Sequence, residues 1–309
     1  MCDLTRASTG SATIESSVVT EQGRSTAVEQ YKTLSFAFQT NNIIFACMKK
    51  VVVVGSGYLA NIVADAAIRG LLPEFEFVGV YSQSVPSSER LADRFRKAGN
   101  ACNAYPSLDA MLALKPDFLI EMASPSGMQE VAIPTLKNGT SIVCISVGAF
   151  ADQDFMTEVK RVGNESGTRV YIASGATGGF DVLRTAALMG NATANFFNEK
   201  GHDRLRNSSV YDPIIETKKH IVFSGNANEA IRTFPTGLNV AVAASIASVG
   251  TDNMQVTMQS TPNFVGDTQR VEIKNDEVHA VVDVYSATPA IAAWSVVATL
   301  QNIVSPIVF

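Results

Sequence analysis

Gly55-Ser56-Gly57-Tyr58-Leu59-Ala60 lies between Met48-Lys49-Lys50-Val51-Val52-Val53-Val54 and a helix-spaced stretch, Asn61 to Arg69, with Ile62, Val63, Ala66 and Ala67 in phase. Four β-branched residues in a row read as a buried parallel strand. The glycine spacing fits G-x-G-x-x-G/A, the strand-to-helix turn that receives a pyrophosphate. Gly55 makes the tight turn and Gly57 lets the backbone approach the anion. Ala60 keeps the helix close to its strand, so that the N–H groups at the helix start face negative charge. Gly55, Ser56, Gly57, Tyr58 and Leu59 are therefore the candidate pyrophosphate contacts.

The second strand, Phe75 to Tyr81, runs into Ser82-Gln83-Ser84. An NAD site usually places a carboxylate here, on the ribose 2′-hydroxyl. Small hydroxyls leave room for a 2′-phosphate instead, with Arg90 as a counter-charge, so NADP is favoured over NAD. The alternative is that Arg90 is only a solvated helix charge. Ser82 and Gln83 are the candidate adenosine-ribose contacts. Ala123, Ser124, Ser146, Gly148 and Ala149 lie at the ends of later strands, where a doubly wound sheet binds ligands. Ordinary strand-to-helix turn chemistry is the competing reading for each of them.

The elements that position these residues alternate. Helices are expected over Ser87–Gly99, Ser107–Leu114, Met128–Asn138 and Asp152–Glu165. Strands are expected over Asp117–Ala123, Ser141–Ser146 and Arg169–Ile172. Alternation of this kind gives a parallel sheet wound on both faces. Beyond Ser174 the pattern changes. A glycine-rich loop, Ser174 to Asp181, leads into a helix to Met189. Strand-like segments follow near Ala194–Phe197, Ile214–Lys218, Gln255–Gln259, Arg270–Ile273 and His279–Tyr285, with a helix over Leu238–Val249 among them. This predicts a second, α+β domain on a largely antiparallel sheet. Thr288 to Ile303 reads as a last apolar helix that packs back on the first domain, with Trp294 in the packing. The expected division is a dinucleotide-binding domain of 48–173 plus 286–309 and an α+β catalytic and dimerisation domain of 174–285. Residues 1–47, rich in Ser and Thr, are expected to form an appended disordered arm; a packed helix is the alternative. Asp3, Glu15, Glu21 and Glu29 argue against an organelle-targeting segment, and the N-terminus has no signal-peptide pattern.

Composition narrows the function classes. A chain of 309 residues, 46% hydrophobic and 17% charged, has material for a sizeable core. A net charge of −5 without a Lys/Arg cluster argues against nucleic-acid and anionic-membrane partners. The apolar stretch from Ala290 to Phe309 is broken by Ser295, Thr299, Gln301, Asn302 and Pro306, and reads as a buried helix. Cys2, Cys47, Cys102 and Cys144 are far apart, as expected for reduced structural thiols in a cytoplasmic protein. His202, His220 and His279 have no partner at zinc-ligand spacing, and no metal is expected.

Several stretches together resemble the L-aspartate dehydrogenase family. They are Gly55 to Ala60, Glu121-Met122-Ala123-Ser124, Ser146-Val147-Gly148-Ala149-Phe150-Ala151-Asp152, Ser174 to Asp181, Phe223 to Ala230, Phe234-Pro235 and Asn239-Val240-Ala241. They occur in the family's order from about Met48 onward. The resemblance implies a doubly wound Rossmann domain with a second α+β domain, a homodimer, and NAD(P)-linked interconversion of an amine and an imine.

Three positions depart from the family pattern. Its catalytic His, in Asp-Pro-x-x-x-x-Asn-x-His-x-Ile, falls on Gln269 within Thr261 to Val271. Its Asn two residues before Asn239 is Gly237. Its Asn-Pro-Lys-Thr-Ser stretch aligns with Tyr285 to Pro289, so its Lys becomes Ala287. Glutamine exchanges hydrogen bonds but shuttles no proton near neutral pH, and losing the Lys removes a cation suited to a carboxylate. Hydride transfer needs orientation more than an acid, so reduction of a preformed cyclic or substituted imine fits these changes. Asn239 and Gln269 are the candidate pocket residues, with Gln269 orienting. Replacement acids are few. His220, Lys218 and Lys200, the last near a position where the family also has a Lys, are candidates, with Tyr211 and Asp212 as further options. The competing reading is that Lys200, Lys218 and Lys219 are solvated and His220 is a surface or packing residue. The readings that remain are a C–N oxidoreductase for a substrate other than aspartate, a true aspartate dehydrogenase with a relocated acid, a non-redox cyclase or isomerase, and a non-catalytic nucleotide sensor.

Overall fold

The computed structural model describes residues 48–235 and 237–309; the expected arm, 1–47, lies outside them. The chain begins as β1 (Lys49–Val54), α1 (Tyr58–Ile68), β2 (Phe75–Tyr81), α2 (Val85–Lys97), β3 (Asn103–Ala104) and α3 (Leu108–Leu112). It continues with β4 (Phe118–Glu121), α4 (Pro125–Lys137), β5 (Ser141–Cys144), a 3-10 turn (Val147–Ala151), α5 (Gln153–Ser166) and β6 (Val170–Ile172). These strands form one parallel sheet in the order β3-β2-β1-β4-β5-β6. The order reverses between β1 and β4, so their C-terminal ends open a crevice. Val51 to Val54 are buried on both faces, as the unbroken valine run requires. Phe77 and Phe95 stack on one side, 4.2 Å apart, each contributing on the order of 2–3 kcal/mol by burial.

The second domain comprises α6 (Phe180–Leu188), β7 (Thr193–Lys200), β8 (His220–Asn226), α7 (Ala227–Thr233), α8 (Asn239–Ala247), β9 (Gln255–Ser260), β10 (Asp267–Lys274) and β11 (His279–Ser286). Its sheet runs β11-β10-β7-β9-β8, antiparallel except where β7 meets β9. Alternate residues Ala194, Phe196, Val256, Met258, Val271 and Ile273 are buried in a core shared with α6, α7 and α8. The strand expected at Ile214–Lys218 is instead a 3-10 turn, Pro213–Glu216, whose start is capped by Asp212 accepting from the Ile214 N–H. A proline and a capping aspartate fix the turn, and the strand begins after it, at His220. Helix α7 was not signalled by periodicity; it is short and set by a capping box between Asn226 and Glu229.

Two helices tie the domains together. In α8, Asn-Val-Ala-Val-Ala-Ala-Ser-Ile-Ala, small apolar residues are buried all round. Val242 and Ala243 join the core under the parallel sheet, while Ala241 and Ala244 join the core of the second sheet. The last helix, α9 (Ala290–Val304), returns to α1 and puts Val296, Val297 and Leu300 into the first core. No described helix is long and apolar enough to cross a membrane.

Candidate active site

The turn after β1 has the geometry its glycines suggest. Gly55 has φ of +96°, and a Cβ there would lie 2.5 Å from the Met122 carbonyl oxygen, so only glycine fits between β1 and β4. Gly57 differs: nothing lies within 4 Å of a Cβ built on it. That open space stands over the start of α1, whose N-cap, Gly57, offers no side-chain acceptor to the first N–H groups. Open space above uncapped helix N–H groups suits a pyrophosphate. At the end of β2, Ser82 Oγ lies 2.8 Å from both Ser56 Oγ and Ser88 Oγ. Gln83 is exposed beside it. Arg90 Nη2 donates to Ser87 Oγ at 2.8 Å. The ribose-end candidates are thus gathered against the pyrophosphate turn.

Glu121, fully buried at the end of β4, organises the next two loops. Its Oε1 accepts from the Ala123 N–H (2.8 Å), the Ser124 N–H (3.1 Å) and Ser146 Oγ (2.8 Å). Its Oε2 accepts from the Ser146 N–H at 3.1 Å and faces Cys144 Sγ. Burial pushes this carboxyl above its ordinary range, against the pull of the backbone and side-chain donors. Every recorded partner is a donor, so the carboxylate is the form that completes the set. The sequence motif contained Glu121, but its buried bracing role has no local signal.

Between the two domains lies a cleft of about 270 Å³, with Leu59, Ala123, Ser124, Ser146 and Asn239 among its walls. Among the described residues, no ionisable side chain lines it. Asn239 is set by α8; its Oδ1 accepts from the Gly148 N–H at 2.8 Å. Gly148 and Ala149 are buried, and the Ala149 N–H donates to the Ser146 carbonyl, so both sit behind the cleft wall. Gln269 does not line the cleft either. It is buried on β10, where its Nε2 donates to Asp267 Oδ1 at 2.9 Å.

Gln269 belongs to a polar cluster on the inner face of the second sheet. Register places Asp267 opposite Lys200 and Gln269 opposite Asn198. Asn198 donates to Asp267 Oδ1 as well, and Lys200 Nζ is 3.7 Å from Asp267 Oδ2. Lys200 also donates to the carbonyl of Gly237, a cleft residue, at 3.3 Å. The sequence reading of Lys200 as solvated is corrected here: its side chain is only 12% exposed. Burial lowers its proton affinity, which Asp267 partly restores; burial in turn raises the Asp267 pKa, opposed by Lys200. The signal for this cluster was period two: Ala194, Phe196, Asn198 and Lys200 share a face, as do Asp267, Gln269, Val271 and Ile273. His220, Lys218 and Lys219 are exposed, as expected.

The profile of the aspartate dehydrogenase C-terminal domain matches residues 181–303, and that of the homoserine dehydrogenase NAD-binding domain matches 53–173. An L-aspartate dehydrogenase of Methanococcus maripaludis is 27% identical over 272 residues, 84% of this chain and 98% of that relative. One of Methanocella arvoryzae is 26% identical over 274 residues, with the same two coverages. The crystal structure of aspartate dehydrogenase from Thermotoga maritima shares the fold, with a TM-score of 0.65 at 24% identity, over 84% of this chain and 99% of that one.

Proposed function

We propose that this chain, which belongs to the aspartate dehydrogenase family, is an NAD(P)-dependent oxidoreductase acting on a carbon–nitrogen bond of a substrate other than aspartate. When bound, the nicotinamide supplies or accepts the hydride. Gly55 to Leu59 hold the pyrophosphate, with Gly57 leaving it room and the start of α1 supplying N–H groups. Ala123, Ser124 and Ser146, braced by Glu121, form the wall beside the nicotinamide. Ser56, Ser82 and Gln83 frame the adenosine ribose. The absence of a carboxylate at the end of β2, with Arg90 nearby, favours NADP.

The observation that carries the substrate assignment is the cleft wall. Among the described residues it holds no ionisable side chain, and Ala287, where the resemblance would place a lysine, is exposed and outside that wall. Two free carboxylates entering such a site would lose their water without gaining an unpaired cation, because nearby Lys200 is already paired with Asp267. A substrate amine or imine with an apolar body fits better, with the Asn239 side chain as the polar contact. Aspartate itself remains the second reading, favoured by the names of the relatives.

Titration of the purified chain with NADPH and NADH, followed by absorbance at the reduced-nicotinamide band, separates these readings. We expect nucleotide binding, no turnover with oxaloacetate plus ammonia, and turnover within a panel of cyclic imines. Gly57→Asp, which places a carboxylate in the cradle without a backbone clash, should abolish binding while leaving the melting temperature unchanged. Rapid turnover with oxaloacetate and ammonia would return the substrate to aspartate. Imine conversion that persists in Gly57→Asp would point to chemistry without a nucleotide.

A further inference from the structure

Lys200 stands apart from every other described lysine, all of which are exposed. Its Nζ lies under the loop that borders the cleft: it donates to the Gly237 carbonyl at 3.3 Å, and a Cβ built on Gly237 would come 3.9 Å from it. Residue 237 is glycine and lines the cleft, so it sets no side chain of its own beside the amine. Below Nζ, Asp267 is held by Asn198 and Gln269, so its second oxygen faces the ammonium. Gln269 Oε1, Asn198 Oδ1 and the Ser260 hydroxyl are buried nearby without a hydrogen-bond partner among the described residues. Polar groups of this number at the end of an otherwise apolar face indicate a site rather than packing.

We propose that Lys200 carries the proton of the carbon–nitrogen reaction, with Asp267 as its counter-ion and Gln269 as a positioning residue for Asp267. The proposal rests on the reading that an amine or imine occupies the cleft. In reduction, the carbon of the iminium gains the hydride supplied by the reduced nicotinamide, and the nitrogen keeps the former π pair. That pair takes a proton from Lys200 Nζ, giving a substrate ammonium and a neutral lysine, which regains its proton from water. Oxidation reverses the steps: neutral Lys200 first removes a proton from the substrate ammonium, freeing the lone pair that drives hydride loss.

An imidazole is then unnecessary at position 269, and Gln269 is no longer a missing acid. The charges facing Nζ are Asp267 from β10 and Arg204 from the turn after β7; Glu199 points to the other sheet face, toward Lys219, Gln259 and Thr261. Burial and Arg204 lower the proton affinity of Lys200, Asp267 raises it, and the net direction is down. Lys200 therefore releases its proton below the ordinary lysine range, as a proton carrier requires. The sign follows. Oxidation, which needs the neutral amine, should rise with pH through the Lys200 midpoint; reduction, which needs the ammonium, should fall.

The test has one arm without turnover. Competitive acetylation of the full chain by trace acetic anhydride across a pH series, read by mass spectrometry, reports the neutral fraction of each lysine. Lys200 should show a lower midpoint than exposed Lys97 and Lys274. A midpoint equal to theirs, or no reaction at any pH, overturns the proposal. In the activity arm, Lys200→Arg keeps the ion pair but cannot titrate. It should bind NADPH normally, lose about a hundredfold or more in kcat, and lose the pH limb. Added ethylamine should restore part of the rate to Lys200→Ala. Full kcat in Lys200→Arg, or an unchanged pH limb, overturns the assignment. A protein that binds no nicotinamide nucleotide sinks the functional reading with it, whereas binding with an ordinary Lys200 midpoint sinks only the lysine.

Discussion

The two ends of the cleft are built from different materials. At the parallel-sheet end, the contacts are backbone N–H groups, small hydroxyls and open space over Gly57, held by one buried carboxylate. Behind the second-sheet end, the groups proposed to do the work are a lysine and an aspartate brought together across strands, 67 positions apart in the chain. The first end binds without titrating, because helix N–H groups and turns hold an anion at any pH. The second changes charge, because burial sets an ammonium and a carboxylate against their own solvation. A hydride carrier needs firm placement, while the bond it acts on needs a movable proton. On the proposed reading those tasks fall to separate domains, which α8 joins.

Glu121 offers the largest way to break this contrast, since it makes the nucleotide end depend on one buried charge. In Glu121→Gln the amide nitrogen must face N–H or O–H donors now served by the carboxylate. We expect a loss of about 3 kcal/mol, read by urea unfolding. Nucleotide affinity should fall as well, because the Ala123–Ser124 and Ser146 loops lose their common brace. A stable Glu121→Gln protein with full affinity would mean that the carboxyl is already protonated in the fold.

Asp267→Asn probes the other end and should cost less. The side chain of Asp267 is 33% exposed while that of Lys200 is 12% exposed, so solvent screens part of the pair. We expect about 2 kcal/mol, below the range for a fully buried pair losing one partner. The proton affinity of Lys200 should drop further once its counter-ion is gone. The rising limb of oxidation should accordingly move to lower pH, while NADPH affinity stays unchanged. A shift in nucleotide affinity without a shift in the limb would erase the division between the two ends.

That division also explains what could be read in advance. Gly55 to Ala60 and the alternation of strands and helices are local patterns, so the parallel sheet and its crevice were legible. The valine run of β1 and the period of α1 leave little freedom. Asn239 was also reachable, because it opens a clear apolar helix. Lys200 was misread because exposure is set by strand register, which pairs it with Asp267 and packs the loop around Gly237 over it. Asn198 and Asp267 were passed over for the same reason, although their alternation with Phe196 and Val271 placed them on the inward face. Glu121 looked like part of a motif; its donors come from loops 2 and 25 residues away, and only folding brings them together.

Arg90 supplies the smallest and most selective test. Its neighbours on α2 are engaged: Arg94 pairs with Asp65, and Arg96 with Glu89 and Asp93. Arg90 makes no ion pair among the described residues and donates only to Ser87 Oγ. It is exposed, so its charge is available but screened. A 2′-phosphate at the end of β2 would meet this guanidinium and the hydroxyls of Ser84 and Ser87, whereas the diol of NADH would gain nothing from the charge. Arg90→Ala should therefore weaken NADPH about tenfold and leave NADH within about twofold. Raising ionic strength should weaken NADPH more than NADH in the unaltered protein and lose that difference in the variant. Equal affinities before and after the substitution would make Arg90 a solvated helix charge. The preference between the two cofactors would then have to come from the Ser56–Ser82–Ser88 hydroxyls, which Ser82→Asp would reverse by repelling the phosphate and accepting the ribose hydroxyls.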